Sequence, residues 1–83
     1  VYVLENQGDD SWYIGYTHDL NQRVNDHNHG KGGKTTKMKR DWKLIYGEMY
    51  LDEKDALGRE RFLKSGAGWR FLKKQLANYL NSR

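Results

Sequence analysis

Two short apolar runs near the start of the chain constrain its fold more than any other sequence feature. Residues 1–5 and residues 12–16 are both rich in the β-branched and aromatic residues that strands favour. The polar residues 6–11 join the two runs, and within them Gly8 followed by Asp9 is a pair that tight turns prefer. The sequence therefore predicts a β-hairpin over residues 1–16.

A helix and a third strand are predicted after the hairpin. Thr17 has the chemistry of an N-cap, and Asp19 in the first turn would interact favourably with the helix dipole, so a helix is expected over residues 18–29. Residues 30–41 are rich in glycine and lysine and indicate a loop. Residues 42–51 are apolar on both faces in places, which is typical of a strand inside a sheet.

The remaining residues predict two more helices. Asp52 is the expected cap of a helix that ends near residue 64, and the glycines of residues 65–68 should break it. Residues 69–80 carry apolar side chains at helical spacing, so Trp69 and its neighbours are predicted to pack in the core. The order ββαβαα predicts an α+β fold, a small and mainly antiparallel three-stranded sheet flanked by three helices, in one domain over residues 1–83.

Composition narrows the class of protein. The 83 residues include no cysteine, so disulfides, thiolate zinc sites and cysteine nucleophiles are excluded, and a cytoplasmic location is expected. No apolar run approaches the ~20 residues of a membrane span, which predicts no association with a membrane. The net charge of +4 favours a polyanionic partner, nucleic acid above all.

Glu60 occupies an unusual position for a carboxylate. On a helix of 3.6 residues per turn, it falls at the centre of the apolar stripe formed by Ala56, Leu57 and Leu63. A lone carboxylate there would cost several kcal/mol in desolvation unless a partner compensates it. Helix geometry leaves three interpretations open: an ion pair with a buried arginine, a general base, or a metal ligand.

Arg23 and His27 lie four residues apart on one face of the first predicted helix, beside the stripe of Leu20 and Val24. In a purely structural interpretation, Arg23 covers apolar surface with its stem and His27 is a partly buried histidine. In a functional interpretation, the guanidinium contacts a phosphate and the imidazole is a ligand or a proton carrier.

Tyr13 and Gly15 point to the same face of the second predicted strand. Because Gly15 has no side chain, space remains beside the phenol for another backbone or a substrate. Tyrosines also pack well in strands without any further role, so this pattern alone leaves both interpretations open.

Basic residues are concentrated in the loop of residues 30–41. They are Lys31, Lys34, Lys37, Lys39 and Arg40. Such a segment is either a solvated loop or a phosphate contact that does not depend on base sequence. We expect these five side chains to bind nucleic acid.

Together these residues resemble the GIY-YIG nuclease superfamily, in particular its small single-domain bacterial branch of YhbQ-like proteins. The pattern is also similar to the N-terminal nuclease domain of the excision-repair incision subunit. Tyr2 matches the tyrosine of the first family motif, and residues 13–15 (Tyr-Ile-Gly) match the second. Arg23 and His27 match at the family spacing on the first helix, and Glu60 matches the metal-binding glutamate.

The resemblance implies an activity and a cofactor. It implies one divalent metal, Mg²⁺ or Mn²⁺, held by Glu60, a water activated near Tyr2 or Tyr13, and stabilisation of the phosphate by Arg23. A free phenol has a pKa of about 10, so a tyrosine base needs a nearby cation. The repair enzyme has a lysine directly after its second motif, where this chain has Tyr16.

The expected function is therefore a metal-dependent DNA endonuclease, structure-selective and involved in DNA repair or processing. RNA is an alternative substrate, and a protein partner could direct such a small module to its target; the sequence does not define the oligomeric state. Two alternatives from other classes remain: a non-catalytic nucleic-acid-binding module with the same fold, and a basic interaction protein without nucleic-acid function.

Overall fold

A computed structural model of the chain describes residues 1–29 and 41–83. Over these residues it contains three strands and four helices, listed here in chain order. They are β1 (Tyr2–Asn6), β2 (Trp12–Gly15), α1 (Leu20–Asn28), β3 (Trp42–Gly47), α2 (Glu53–Lys64), α3 (Gly66–Gln75) and α4 (Ala77–Ser82). The predicted α+β class, the hairpin and the order of elements are confirmed. No helix in the described part of the chain is long and apolar enough to cross a membrane.

The sheet is antiparallel, with the strand order β2-β1-β3. The central strand is β1, whose five residues are all buried. The expectation that the third strand lies inside the sheet is wrong, because β3 forms an edge on which Lys43 and Leu44 are exposed. This strand also ends at Gly47, earlier than predicted, although backbone hydrogen bonds still join Glu48 to Val1.

Alternating side chains of the strands divide the interior into two apolar clusters. Val3 and Ile14 point to one face, where they pack with residues of α2 and α3, including Leu63 and Leu72. The other face carries the second cluster, formed by Tyr2, Leu4 and Trp42, with Tyr13, Leu20 and Val24 of β2 and α1 packed against it. The sheet therefore separates α1 from α2 and α3.

The helix boundaries depend on side-chain caps. Asp52 accepts a hydrogen bond from the backbone N–H of Lys54 at 2.8 Å, which confirms the predicted cap of α2. The predicted cap of α1 is wrong: Asp19, rather than Thr17, accepts from the N–H of Gln22 at 3.1 Å. Thr17 instead closes the turn before the helix by accepting from the Asp19 N–H.

The last predicted helix is two helices. The hydroxyl of Ser65 accepts from the Gly68 N–H at 3.1 Å, so α3 begins at Gly66 rather than at Trp69. At the other end, Leu76 leaves the helical backbone conformation, with φ −101° and ψ 20°, and separates α3 from α4.

Gly68 is required by the corner between α2 and α3. A Cβ built on Gly68 would lie 2.5 Å from the Cα of Leu63 and closer still to the backbone of Phe62. Backbone atoms cannot move aside as a flexible side chain can, so any larger residue must separate the two helices. The absence of a side chain at Gly68 therefore sets how closely α3 approaches α2.

We predict that Gly68→Ala lowers the free energy of unfolding by about 1–3 kcal/mol or more, the usual range for overpacking. Gly58→Ala is a matched control, because its Cβ would meet Arg61 at 3.9 Å, an ordinary contact within α2. The control should gain up to ~1 kcal/mol from helix propensity. Urea denaturation of both variants measures the difference, and equal stability of the two would contradict this account of the corner.

Candidate active site

Tyr2 is the centre of the candidate site, and its position depends on Gly15. The two residues are directly opposite in the β1–β2 pairing. A Cβ on Gly15 would lie 2.5 Å from the hydroxyl oxygen of Tyr2, so the ring crosses the space that a side chain would fill. The predicted free space beside Tyr13 is therefore occupied by the ring of Tyr2, whose centroid is 6.2 Å from that of Tyr13.

Helix α1 adds Arg23 and His27 to the two tyrosines. His27 is completely buried, and its Nε2 lies 3.1 Å from the hydroxyl of Tyr2, within hydrogen-bonding distance. Its ring centroid is 4.7 Å from that of Tyr13. The guanidinium of Arg23 is beside the phenol oxygens of Tyr2 and Tyr13, and its hydrogen bond with Tyr2 raises the pKa of Arg23. These four residues, which the sequence identified, come together in the structure.

The charges around Tyr2 have opposing effects on its phenol. Burial raises the pKa of Tyr2, whereas the hydrogen bond with Arg23 lowers it, and burial dominates. The phenol is therefore protonated at neutral pH in the protein alone. Arg23 stabilises negative charge at this point, and further positive charge would be needed for the phenol to act as a base.

His27 is neutral at pH 7. Burial is the main cause that lowers its pKa, and the positive charge of Arg23 lowers it further. A neutral imidazole has one nitrogen that accepts a hydrogen bond and one that donates. Since Nε2 faces the hydroxyl of Tyr2, the unprotonated-Nε2 tautomer allows His27 to accept the phenol proton.

Glu60 approaches the same tyrosine from α2, and its negative charge contributes to raising the pKa of Tyr2. Its side chain is 19% exposed and forms an ion pair with Lys64 at 3.3 Å, one turn further along the helix. Among residues 1–29 and 41–83 no arginine forms an ion pair with Glu60, so this part of the chain does not supply the buried arginine partner of the first interpretation. The residue beside it, Arg59, pairs elsewhere.

Glu60 suits one kind of divalent metal site. The described residues contain no group of three or more histidine, aspartate or glutamate side chains that could enclose an ion. Mg²⁺ is commonly held by one or two carboxylates, with water and substrate phosphate as its other ligands. A single carboxylate that, like Arg23, acts on the phenol of Tyr2 fits that ligand set. Lys64, whose side chain is 54% exposed, can turn away from Glu60 into solvent.

A second polar cluster, which the sequence analysis missed, surrounds Glu48. Arg59 donates to both carboxylate oxygens, with its Nε 2.9 Å from one of them and its Nη2 3.0 Å from the other, and Tyr46 and Tyr50 donate as well. Burial acts to raise the pKa of Glu48, but these hydrogen bonds outweigh it and lower the pKa to about 2. The sequence does place an acidic residue, Glu48, directly after β3. Its partner Arg59 lies eleven residues further along the chain, so no local pattern connects the two.

A cleft of about 310 Å³ opens between this cluster and the candidate site. Tyr2 and Glu48 both line it, together with Tyr16, His18 and Tyr50. Tyr16 stands where the repair enzyme has a lysine, and its hydroxyl lies 3.0 Å from Nε2 of His18. Tyr2, only 1% exposed, thus lies beneath an aromatic cleft. The five basic residues predicted to bind nucleic acid (Lys31, Lys34, Lys37, Lys39 and Arg40) lie outside the described residues.

Comparison with known proteins identifies relatives. Residues 1–68 match the family described as the GIY-YIG catalytic domain. The chain is 46% identical to UPF0213 protein YazA of Bacillus subtilis (strain 168) over 56 residues, which cover 68% of this chain and 57% of YazA. It is 45% identical to a UPF0213 protein of Staphylococcus aureus (strain Mu3) over 65 residues, 78% of each chain. No solved structure matches the chain.

We predict that His27 makes stability depend on pH between about 5 and 7. Its pKa is lowered in the folded protein, so the unfolded chain, with a histidine pKa near 6.5, binds more protons as the pH falls. Stability should be complete above about pH 6.5 and decrease below it, with a slope of at most ~1.4 kcal/mol per pH unit. His27→Gln should remove this slope.

The measurement is urea denaturation at several pH values, for the parent protein and for His27→Gln. His29→Gln is the control, because this exposed residue follows α1 directly and should leave the slope unchanged. A parent protein whose stability is constant from pH 7 to pH 5 would contradict the burial of a neutral imidazole.

Proposed function

The chain belongs to the GIY-YIG catalytic domain family, a family of nuclease domains, and on this basis we propose that it is a divalent-metal-dependent DNA endonuclease. One observation supports the proposal above all. Tyr13, Arg23 and His27 surround the phenol of Tyr2, and Glu60 lies within electrostatic range of it. These residues combine a positive charge for phosphate, a proton acceptor and a carboxylate for a metal.

Arg23 has the clearest role in this proposal. Its guanidinium lies next to the two phenol oxygens at the surface of the candidate site. A phosphate bound there would receive charged hydrogen bonds from a planar donor pair, and these bonds strengthen as negative charge develops on the phosphate during hydrolysis. Arg23 therefore stabilises the transition state in the proposed mechanism.

Tyr2 and His27 form the proposed proton path. With its Nε2 unprotonated, His27 takes the proton of the Tyr2 hydroxyl while that oxygen accepts a proton from the attacking water. The oxygen of this water forms a bond to phosphorus, and the bond from phosphorus to the leaving oxygen breaks, so that the leaving oxygen keeps the electron pair and takes a proton from solvent water. The pKa of Tyr2 is raised and the pKa of His27 is lowered, and both shifts oppose the transfer. Additional positive charge must compensate for this.

Glu60 would hold the metal that the family implies. A divalent ion supplies positive charge that lowers the pKa of a bound water and stabilises phosphoryl oxygens. The carboxylate of Glu60 would supply one oxygen ligand once Lys64 had turned away, and water and phosphate would supply the others. Mg²⁺ and Mn²⁺ are both compatible with such an oxygen site.

The proposal extends to the cellular role. We propose that the protein processes DNA in the cytoplasm, as in DNA repair, with RNA as an alternative substrate and with a protein partner that selects the target. The alternative function, a non-catalytic nucleic-acid-binding module, is favoured by the ion pair between Glu60 and Lys64 and by Tyr16 in place of lysine. The effect of metal on cleavage distinguishes the two.

We predict that Arg23→Lys retains the fold and most of the DNA affinity but lowers the cleavage rate by ~100-fold or more. Lysine keeps the charge but loses the planar donor pair, so the oriented bonds of the transition state are lost. Single-turnover cleavage at saturating protein separates this chemical effect from binding. A rate within about threefold of the parent would show that Arg23 only covers apolar surface.

We predict that Glu60→Gln removes Mg²⁺- and Mn²⁺-dependent cleavage and costs less than ~1 kcal/mol in stability, because its partner Lys64 is half-exposed and ion pairs with a solvated lysine contribute little. Glu53→Gln is the matched control, a carboxylate at the other end of α2. Cleavage of nicked, flapped, branched and single-stranded DNA is measured with each metal. If Glu60→Gln cleaves DNA as well as the control, Glu60 is excluded as the metal ligand. If the parent binds DNA without metal and does not cleave it, the binding module is favoured.

A further inference from the structure

Two tryptophans form a stacked pair that the proposed mechanism does not use. The indole rings of Trp12 and Trp69 have centroids 5.2 Å apart and planes inclined by 30°. Trp69 is 38% exposed, although the spacing of the last helix predicted that it would pack in the core. Exposure of a large aromatic side chain leaves apolar area in contact with water and often indicates a binding surface. We name Trp12 and Trp69 the indole platform.

A hydrogen bond to the buried carboxylate of Glu5 fixes the Trp12 side of the indole platform. The Nε1–H of Trp12 donates to the carboxylate of Glu5 at 2.8 Å, and Glu5 is only 1% exposed. Tyr79 donates to the same carboxylate at 2.5 Å, and Arg83 forms an ion pair with it. The orientation of Trp12 is therefore fixed before any ligand arrives. A ligand stacking on the platform loses little affinity to the ordering of protein side chains.

Two hollows adjoin the indole platform. One, of about 330 Å³, is lined by both indoles together with Tyr13 and Lys64. The other, of about 390 Å³, is lined by both indoles together with Lys73. The first hollow shares Tyr13 with the candidate active site, so the two adjoin along strand β2, and we call this edge of β2 the path between them.

The charge along this path suits a polyanion. Helix α3 carries Arg70, Lys73 and Lys74 and no acidic residue. Lys64 lies at the end of the path that is close to the candidate site. The second hollow also contains Asp10, whose charge Arg83 offsets only in part, because Arg83 lies 3.9 Å from that carboxylate and pairs more closely with Glu5. Cationic side chains thus flank an aromatic surface, the combination that binds single-stranded nucleic acid.

From this geometry we infer that the indole platform stacks an unpaired base of a DNA strand whose backbone continues into the candidate active site. The inference rests on the proposed function for its substrate class. Bases in a duplex are already stacked on one another, so their faces are not available to Trp69. Unpaired bases in flaps, gaps and single strands are available, and the platform therefore selects DNA by structure without reading its sequence.

The test compares two oligonucleotides of equal charge: an oligothymidylate of about eight nucleotides, within the usual range of site sizes, and its abasic counterpart. Fluorescence anisotropy of labelled oligonucleotides measures binding to the whole chain, with a chelator present to prevent cleavage. The parent should bind the oligothymidylate more tightly. Trp69→Ala should weaken this binding by about tenfold and leave binding of the abasic strand unchanged. Trp69→Phe should retain most of the affinity.

Two control variants distinguish a loss of base stacking from a loss of folding. Trp69→Leu keeps apolar volume without an aromatic face and should lose affinity like Trp69→Ala, while circular dichroism checks its fold. Leu44→Ala removes a side chain of similar exposure (39%) on the far edge strand and should not change binding. Equal affinities of the parent for the two oligonucleotides, or unchanged binding after Trp69→Leu, would overturn the inference.

Three further outcomes separate the alternatives. Concentration-dependent self-association that shields Trp69 would overturn the inference in favour of a second copy of the chain on the platform. Tighter binding of oligouridylate than of oligothymidylate would overturn the assignment to DNA. A parent that shows no metal-dependent cleavage but retains the Trp69-dependent difference would contradict the proposed function and support the platform.

Discussion

The contact between Tyr2 and Gly15 determines the geometry of the candidate site. Tyr2 is in the central strand, where an ordinary neighbour on β2 would compete for the space occupied by its ring. Because Gly15 has no side chain, the phenol lies across β2 and reaches Nε2 of His27. Arg23 meets the same hydroxyl from α1, so both helix residues are positioned by one strand pairing.

The acidic residues differ in how completely their charge is compensated. Glu48 is held by Arg59 and two tyrosines, and Glu5 by Trp12, Tyr79 and Arg83. The desolvation of these two carboxylates is compensated, because each accepts several hydrogen bonds from the side chains around it. Glu60 is different, since its ion pair in the described part of the chain is with Lys64, a flexible and half-exposed residue. Its oxygens can therefore exchange a lysine for another cation at low cost.

Sequence patterns predicted what depends on neighbours along the chain and missed what depends on packing between elements. The hairpin, the Asp52 cap and the face shared by Arg23 and His27 follow from local chemistry and helical spacing, so they could be predicted. The ion pair between Glu48 and Arg59 joins β3 to α2, and no local pattern specifies it.

The same dependence on local patterns explains the errors in the helix and strand boundaries and in the predicted burial of Trp69. Asp19 and Thr17 are both good capping residues, and sequence alone does not decide between them. The helical spacing of Trp69 is compatible with two positions: one in the core, and one beside Trp12 at the sheet edge. Only the order of strands shows that β2, and not an interior strand, lies next to it.

The position of β2 at the sheet edge connects the candidate site with the indole platform. Consecutive side chains of a strand point to opposite faces, so Trp12 and Tyr13 are adjacent in sequence but contact different clusters. A ligand passing around the edge can contact both, which a strand inside the sheet would prevent. An uncovered edge risks pairing with other chains, but β2 has four residues and ends in glycine, both of which limit that risk. The edge can therefore remain open for a substrate.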